Sequence, residues 1–335
     1  MEKVNIGIIG VGRIGRLHAC NLKYQIPGVR LAAVADVFEK SVREVASQLE
    51  IPIAEKDYRV LLENKDINAV VICSSTDTHA QIISEAAQAG KHIFCEKPIA
   101  LDVEKIDQAI EAVKKAGVKL QVGFNRRFDP SFKKAKDLVA KGTIGTPHLV
   151  RITSRDPEPP PISYVKISGG IFLDMMIHDF DMARFLLSQE VSELMAVGSC
   201  LIDPAIGEAG DIDTAIVTLK YKNGAWGTID NSRKAVYGYD QRIEIFGSEG
   251  CVMVGNPTST EVTINSAEDT RTDKPLYFFT ERYQEAYLAE MKEFIKCIQE
   301  NTEPPVGGLD GKISVQMGYA AKESLTTGIF VKVAK

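Results

Sequence analysis

Basic charge is what this sequence most lacks: 40 Lys and Arg stand against 45 Asp and Glu, a net charge of −5. No basic excess exists to release counterions from phosphates, which excludes nucleic-acid binding of the neutralising kind. Lys and Arg are scattered, so no patch suited to a membrane surface forms either. No apolar run approaches the ~18 residues that would suggest a membrane span. The start, Met1-Glu2-Lys3-Val4, shows no leader pattern before a strand-like run, and the expectation is a soluble, cytoplasmic protein. The six cysteines (Cys20, Cys73, Cys95, Cys200, Cys251, Cys297) form no C-x-x-C pair. They read as reduced, buried thiols rather than a zinc or redox set, with Cys73 and Cys95 inside apolar runs. Histidine is scarce too. The five (His18, His79, His92, His148, His178) have no H-E-x-x-H or Cys/His ligand spacing, and no metal is expected.

What is present is a rhythm that changes once. In the first third, β-rich runs at 4–9, 30–36, 69–73, 93–95 and 120–122 alternate with helical patterns at 13–22, 39–49, 76–89 and 103–116. Continuous Val/Ile strands separated by helices predict a parallel sheet covered on both faces, the doubly wound α/β arrangement. After about Gly123 come a helix near 131–140, a proline stretch (Pro157-Glu158-Pro159-Pro160-Pro161), and long runs at 191–201, 213–221, 225–231, 242–246 and 251–254. Asn223-Gly224 and Ser248-Glu249-Gly250 punctuate these runs as hairpin turns. The expectation is a Rossmann-type domain over 1–123. An α+β domain with a large, mostly antiparallel sheet should follow over 124–335. Two helices, 282–300 and 312–325, close the chain, and either can pack back on the first domain.

Gly10-Val11-Gly12-Arg13-Ile14-Gly15 follows the first strand and opens the first helix. Gly10 permits the turn, Gly12 lets backbone approach a pyrophosphate, and Gly15 lets helix and strand close up. Asp36, about 20 residues beyond Gly15, ends the second strand, where a carboxylate accepts ribose hydroxyls and repels a 2′-phosphate. Val37 and Phe38 offer no guanidinium to a phosphate, so the expected cofactor is NAD rather than NADP. The fourth strand ends in Cys73-Ser74-Ser75-Thr76-Asp77-Thr78-His79 on the ligand edge. Ser74, Thr76 and His79 are cofactor-side candidates there. Thr76 reads equally as a helix N-cap, and His79 equally as a packing histidine.

Glu96-Lys97-Pro98 ends another strand on that edge and aims a lysine at the nicotinamide half. Asp174 and His178 stand four apart, with Asp181 three beyond, in the apolar segment Ile171–Phe180. On one helix they would share a face. Polar groups in so apolar a segment are costly to bury; a capping Asp and a satisfied core His fit the pattern equally well.

With these motifs assembled, the chain resembles the Gfo/Idh/MocA oxidoreductases along essentially its whole length. Within that family it looks like the branch acting on inositol, through Asn125-Arg126-Arg127-Phe128-Asp129, His178-Asp179-Phe180-Asp181 and Tyr237-Gly238-Tyr239-Asp240. The resemblance implies Lys97, Asp174 and His178 as the catalytic set. It implies Gly10, Gly12, Arg13, Ile14, Gly15, Asp36, Ser74, Thr76, His79, Glu96 and Lys97 around NAD, and Arg127, Asp181 and Tyr237 around a polyol or sugar. It further implies NAD-dependent oxidation of a secondary hydroxyl, and a homotetramer. A related sugar or polyol dehydrogenase is the alternative, and a non-catalytic NAD-binding regulator the alternative from another class.

Overall fold

The computed structural model describes residues 3–334. Its contacts divide the chain into two compact units. One comprises the chain up to Asn125 together with Glu285–Ile313, the other Arg126–Gln284 together with the chain from Ser314.

In the first unit, β-branched runs form strands because side chains leaving both faces of a parallel sheet are all buried. The elements are β1 (Val4–Ile9), α1 (Arg13–Tyr24), β2 (Val29–Ala35), α2 (Glu39–Gln48), β3 (Ile53–Glu55), α3 (Arg59–Glu63), β4 (Ala69–Ile72), α4 (Thr76–Gln88), β5 (His92–Glu96), α5 (Val103–Ala116) and β6 (Leu120–Gly123). The six strands lie in the order β3-β2-β1-β4-β5-β6, every neighbour parallel. That is the doubly wound topology with its crevice at the β1/β4 switch point. The short pair β3 and α3 escaped the sequence pattern, since three and five residues are too few to show a period. Phe94, Met291, Phe294 and Ile295 join β1, β2 and β4 in one core, each large side chain contributing roughly 2–3 kcal/mol of burial.

The second unit begins in a 3₁₀ turn (Asn125–Phe128) and continues through α6 (Pro130–Ala140), β7 (Pro147–Arg155), α7 (Ile162–Ser168), α8 (Gly170–Asp174), α9 (Ile177–Leu187), β8 (Val191–Ser199), α10 (Pro204–Glu208), β9 (Thr214–Tyr221), β10 (Trp226–Ser232), β11 (Asp240–Gly247), β12 (Cys251–Val254), β13 (Thr263–Asn265), β14 (Thr270–Thr272) and α11 (Phe279–Arg282). α12 (Gln284–Glu300), α13 (Gly308–Thr327) and β15 (Val331–Lys332) complete the chain. The sheet order is β12-β11-β7-β10-β9-β8-β15. All neighbours are antiparallel except β7 and β10, which run parallel. The sheet is therefore mixed: β7, which α7–α9 separate from β8, lies between β11 and β10 and runs parallel to β10. Along β9, Ala215, Val217, Leu219 and Tyr221 face inward and are buried. The Tyr221 hydroxyl there donates to the Ala183 carbonyl of α9. The alternate residue Ile216 is exposed on the other face, as are Leu149, Val197, Trp226, Phe246 and Met253 on neighbouring strands.

Among the described residues no helix is long and apolar enough to cross a membrane. The cysteines depart from the expectation of buried thiols: Cys95 and Cys297 are buried, but Cys20 and Cys251 are exposed. Each falls on a solvent-facing position of its element, and an apolar local sequence does not reveal which face that is.

Candidate active site

The glycine-rich turn is built as its sequence requires. Gly10 has φ +92°, and a Cβ there would meet the Cys73–Ser74 backbone at 2.5 Å. A Cβ on Gly15 would lie 1.9 Å from the Gly10 carbonyl oxygen, so only glycine allows α1 to start this close to β1. Gly12 differs, since a Cβ there would meet nothing within 4 Å. It precedes α1 without a side-chain cap, leaving open space before a helix N-terminus that attracts anions. Arg13 is exposed beside it and Ile14 half-buried. At the end of β2, Asp36 accepts the Val11 amide on Oδ2 at 2.8 Å and the Phe38 amide on Oδ1 at 2.9 Å. Each oxygen keeps a lone pair for a hydroxyl donor. A glycine cradle, a free helix N-terminus and a fixed carboxylate fit an adenine dinucleotide.

On the neighbouring strand ends, Ser74 Oγ and Thr78 Oγ1 hydrogen-bond at 2.7 Å. Ser75, not Thr76, is the N-cap of α4, and Thr76 is its first helical residue. His79 is buried, with Nδ1 2.8 Å from the Pro98 carbonyl and Nε2 3.0 Å from the Ser74 carbonyl. Burial lowers its pKa. The ring lies between the two carbonyls and braces the loop to the segment after Lys97, the neutral imidazole donating to one of them. Glu96 likewise turns inward: Oε1 lies 2.8 Å from Nε2 of buried His18. Lys97 is half-buried at the end of β5, and the Lys97–Pro98 bond is cis. Glu290 approaches the same His18 nitrogen at 4.0 Å. Neither His18 nor Glu290 stood out in the sequence, because a His inside a helix and a Glu among other charged residues carry no local signature.

Lys97 belongs to the first unit, and Asp174, His178, Arg127, Asp181 and Tyr237 to the second. Asp174 and His178 do not share one helix. The Ile171 carbonyl accepts amides from both Met175 and Met176, which widens the turn and ends α8 at Asp174 before α9 begins at Ile177. Asp174 thus closes one helix while half-buried His178 stands in the first turn of the next. Arg127 and Asp181 do meet: Nε donates to Oδ2 at 2.7 Å and Nη2 to Oδ1 at 2.5 Å. This fork-to-carboxylate pair, with Asp181 1% exposed, is strong and directional. Beneath it Arg126 holds fully buried Asp179 at 2.6 Å, and Asn231 donates to the other Asp179 oxygen. Tyr237 has partners of its own. Its hydroxyl donates to Asp240 at 2.6 Å and accepts from Arg155, beside a pocket of about 430 Å³ that Ile216, Asp230 and Lys234 also line.

Two residues beside Asp174 went unmarked in the sequence. Tyr164 donates to Asp174 Oδ1 at 2.9 Å, and the Arg233 guanidinium reaches Oδ2 at 3.3 Å.

A family model described as an oxidoreductase family with NAD-binding Rossmann fold matches residues 4–124, and the GFO/IDH/MocA C-terminal domain matches residues 132–253. The chain belongs to the GFO/IDH/MocA oxidoreductases. The myo-inositol 2-dehydrogenase of Thermotoga maritima is 52% identical over 330 residues, 98% of each chain. The crystal structure of a probable dehydrogenase from Thermotoga maritima aligns with a TM-score of 0.97 at 52% identity, covering 98% of this chain and 99% of that one. The scyllo-inositol dehydrogenase of Lactobacillus casei, solved with bound cofactor NAD(H) and scyllo-inositol, aligns with a TM-score of 0.93 at 32% identity over the whole of both chains (100%). In this GFO/IDH/MocA member, the glycine turn and Asp36 fall within the stretch that matches the NAD-binding Rossmann fold.

Proposed function

We propose that this oxidoreductase oxidises a secondary hydroxyl of a cyclic polyol with NAD, taking myo-inositol to its 2-keto form. The observation that carries the reading is the 52% identity, end to end, with a myo-inositol 2-dehydrogenase. When bound, the nicotinamide supplies the hydride acceptor. His178 takes the hydroxyl proton as the C–H bond breaks, since imidazole alone among side chains ordinarily exchanges its proton near neutral pH. Lys97 stabilises the negative charge that grows on the same oxygen. Asp174 orients the substrate and holds the positive charge that forms on His178. Arg127 and Asp181 present donors and acceptors together, which suits a neutral molecule ringed with hydroxyls. A phosphorylated sugar would call for several unopposed cations instead. Asp36 favours NAD by repelling a 2′-phosphate.

The chain acts as a homo-oligomer, a tetramer by its family resemblance, and works in the cytoplasm. The apolar outer face of the second unit's sheet supports self-association.

The test is kcat/KM on inositol isomers, hexoses, linear polyols and sugar phosphates, each with NAD and NADP. Myo-inositol with NAD should lead, with NADP at least tenfold poorer, because a missing hydroxyl strands a buried polar group. A hexose ahead of every inositol isomer by tenfold would overturn the substrate. Equal rates with the two cofactors would overturn the role given to Asp36.

A further inference from the structure

Arg233 is buried in the second unit, its guanidinium 2% exposed, and three carboxylates surround it. Nη1 lies 3.3 Å from Asp174 and 4.0 Å from Asp156, and Nη2 lies 3.8 Å from Asp211. The backbone fixes this aim. The Arg233 amide donates to the Asp213 carbonyl, and the Ala235 amide donates to the Asp156 carbonyl. Asp211 also receives the Ile171 amide on Oδ1, so one carboxylate ties α8, which ends in Asp174, to the guanidinium. On the far side of Asp174, the Tyr164 hydroxyl donates to Oδ1 at 2.9 Å.

As a device for stability alone this cluster is poor. Arg233 Nε and Nη2 and Asp211 Oδ2 are buried without hydrogen-bond partners, and each such group costs stability. Arrangements that cost stability persist where function needs them. We propose that Arg233 and Tyr164 are positioning residues that hold Asp174 in one orientation for the reaction. The inference rests on the role given to Asp174 under the proposed function. Lysine could supply the charge but not the planar fork that faces three carboxylates at once.

The groups around Asp174 set the sign of the pH effect. Asp156, at the end of β7, is pushed up to about 6 by loss of water, with Arg233 opposing and Asp174 adding to the rise. Arg126 and Asp179 lie behind Asp156 and act in opposite directions. Tyr164 on α7 is raised by burial and then by the Asp174 charge, so its phenol keeps the proton it donates. Lys322 on α13 senses Asp211. Removing Arg233 takes away the charge that opposes the rise at Asp156, so Asp156 takes up a proton at higher pH. Loss of a positive charge also raises any nearby imidazole. Both effects move the acidic limb of activity upward.

The experiment compares wild type, Arg233→Met, Arg233→Lys and Tyr164→Phe in NAD-dependent oxidation of myo-inositol between pH 5.5 and 9. kcat and KM are resolved separately, and NAD affinity and circular dichroism are measured alongside. Arg233→Met should lose about 30-fold in kcat/KM, mostly in kcat, and its acidic limb should move up by about one pH unit. NAD affinity should stay within about twofold. Arg233→Lys should restore the position of the limb but not the full rate. Tyr164→Phe should lose about threefold to tenfold in kcat. Folded Arg233→Met and Tyr164→Phe proteins with wild-type kcat and an unmoved limb would overturn the proposal, as would a loss confined to NAD affinity. If Arg233→Met does not fold, Tyr164→Phe decides alone, because Tyr164 is 44% exposed and the change removes one oxygen and leaves the ring in place. A wild type that oxidises another polyol but no inositol would refute the substrate reading only, and the same kinetics on that polyol would then decide this one.

Discussion

Glu290 shows what burial does to a single residue. Its side chain is wholly inaccessible, and neither carboxylate oxygen has a hydrogen-bond partner. His18 and Glu96 are its polar neighbours; these three are the group of potential metal ligands found among the described residues. Burial first, and the Glu96 charge second, push Glu290 well above the usual carboxyl range, so the fold favours its protonated form. A carboxyl whose folded pKa is raised contributes stability below its unfolded value, and that stability is lost as pH climbs toward the raised value. Over that window wild type should lose up to about 1.4 kcal/mol per pH unit relative to Glu290→Gln, which cannot ionise. Urea unfolding of both proteins across pH measures the difference, and identical pH dependence would contradict it. At the proposed base, His178→Ala should lose about 10²–10⁴-fold in kcat while NAD binding persists. Near-full turnover by that variant in steady-state assays would reassign the base.

At the scale of elements, the β1–α1 turn separates two uses of glycine. Gly15 is needed by the protein itself, because a Cβ there would overlap the Gly10 carbonyl oxygen. Gly15→Ala should therefore cost about 1–3 kcal/mol, the range for forced overpacking, besides weakening NAD. Gly12 has open space at its Cβ position. Gly12→Ala should melt like wild type yet bind NAD about tenfold more weakly, a loss of ~1.4 kcal/mol. Calorimetry and NAD titration of the two variants check the contrast. A Gly12→Ala protein with unchanged NAD affinity would mean that the cofactor does not approach this backbone. The α8–α9 break carries a similar lesson. Asp174, His178 and Asp181 read as one face of a single helix, but the doubled acceptor at Ile171 ends one helix before the next begins.

At the scale of the whole molecule, the second unit's sheet leaves one face without helices. Leu149, Val197, Ile216, Trp226, Phe246 and Met253 lie exposed along six adjacent strands. Apolar surface of that extent on a monomer marks an interaction site. Light scattering at micromolar concentration should show an oligomer, and Ile216→Asp combined with Phe246→Asp should shift it toward monomer with secondary structure intact. A stable wild-type monomer would refute self-association.

Local sequence was enough for the doubly wound half apart from the short β3 and α3. Each strand there is a short apolar run and each helix an amphipathic one, and the Gly10–Gly15 turn and Asp36 are set by neighbours in the chain. Period, turn chemistry and capping act over a few residues, so they can be read along a line. The same locality explains why the hairpins at Asn223-Gly224 and Ser248–Gly250 were legible while the parallel pairing of β7 with β10 was not. Partners distant in sequence follow from which apolar faces close on one another. Tertiary structure alone turned Glu96 toward His18, set the His79 ring between two carbonyls, paired Arg127 with Asp181, and set Arg233 against Asp174, 59 residues away. Ionic and hydrogen-bonding partners are chosen by proximity in space, and a one-dimensional pattern of residue types does not encode that proximity.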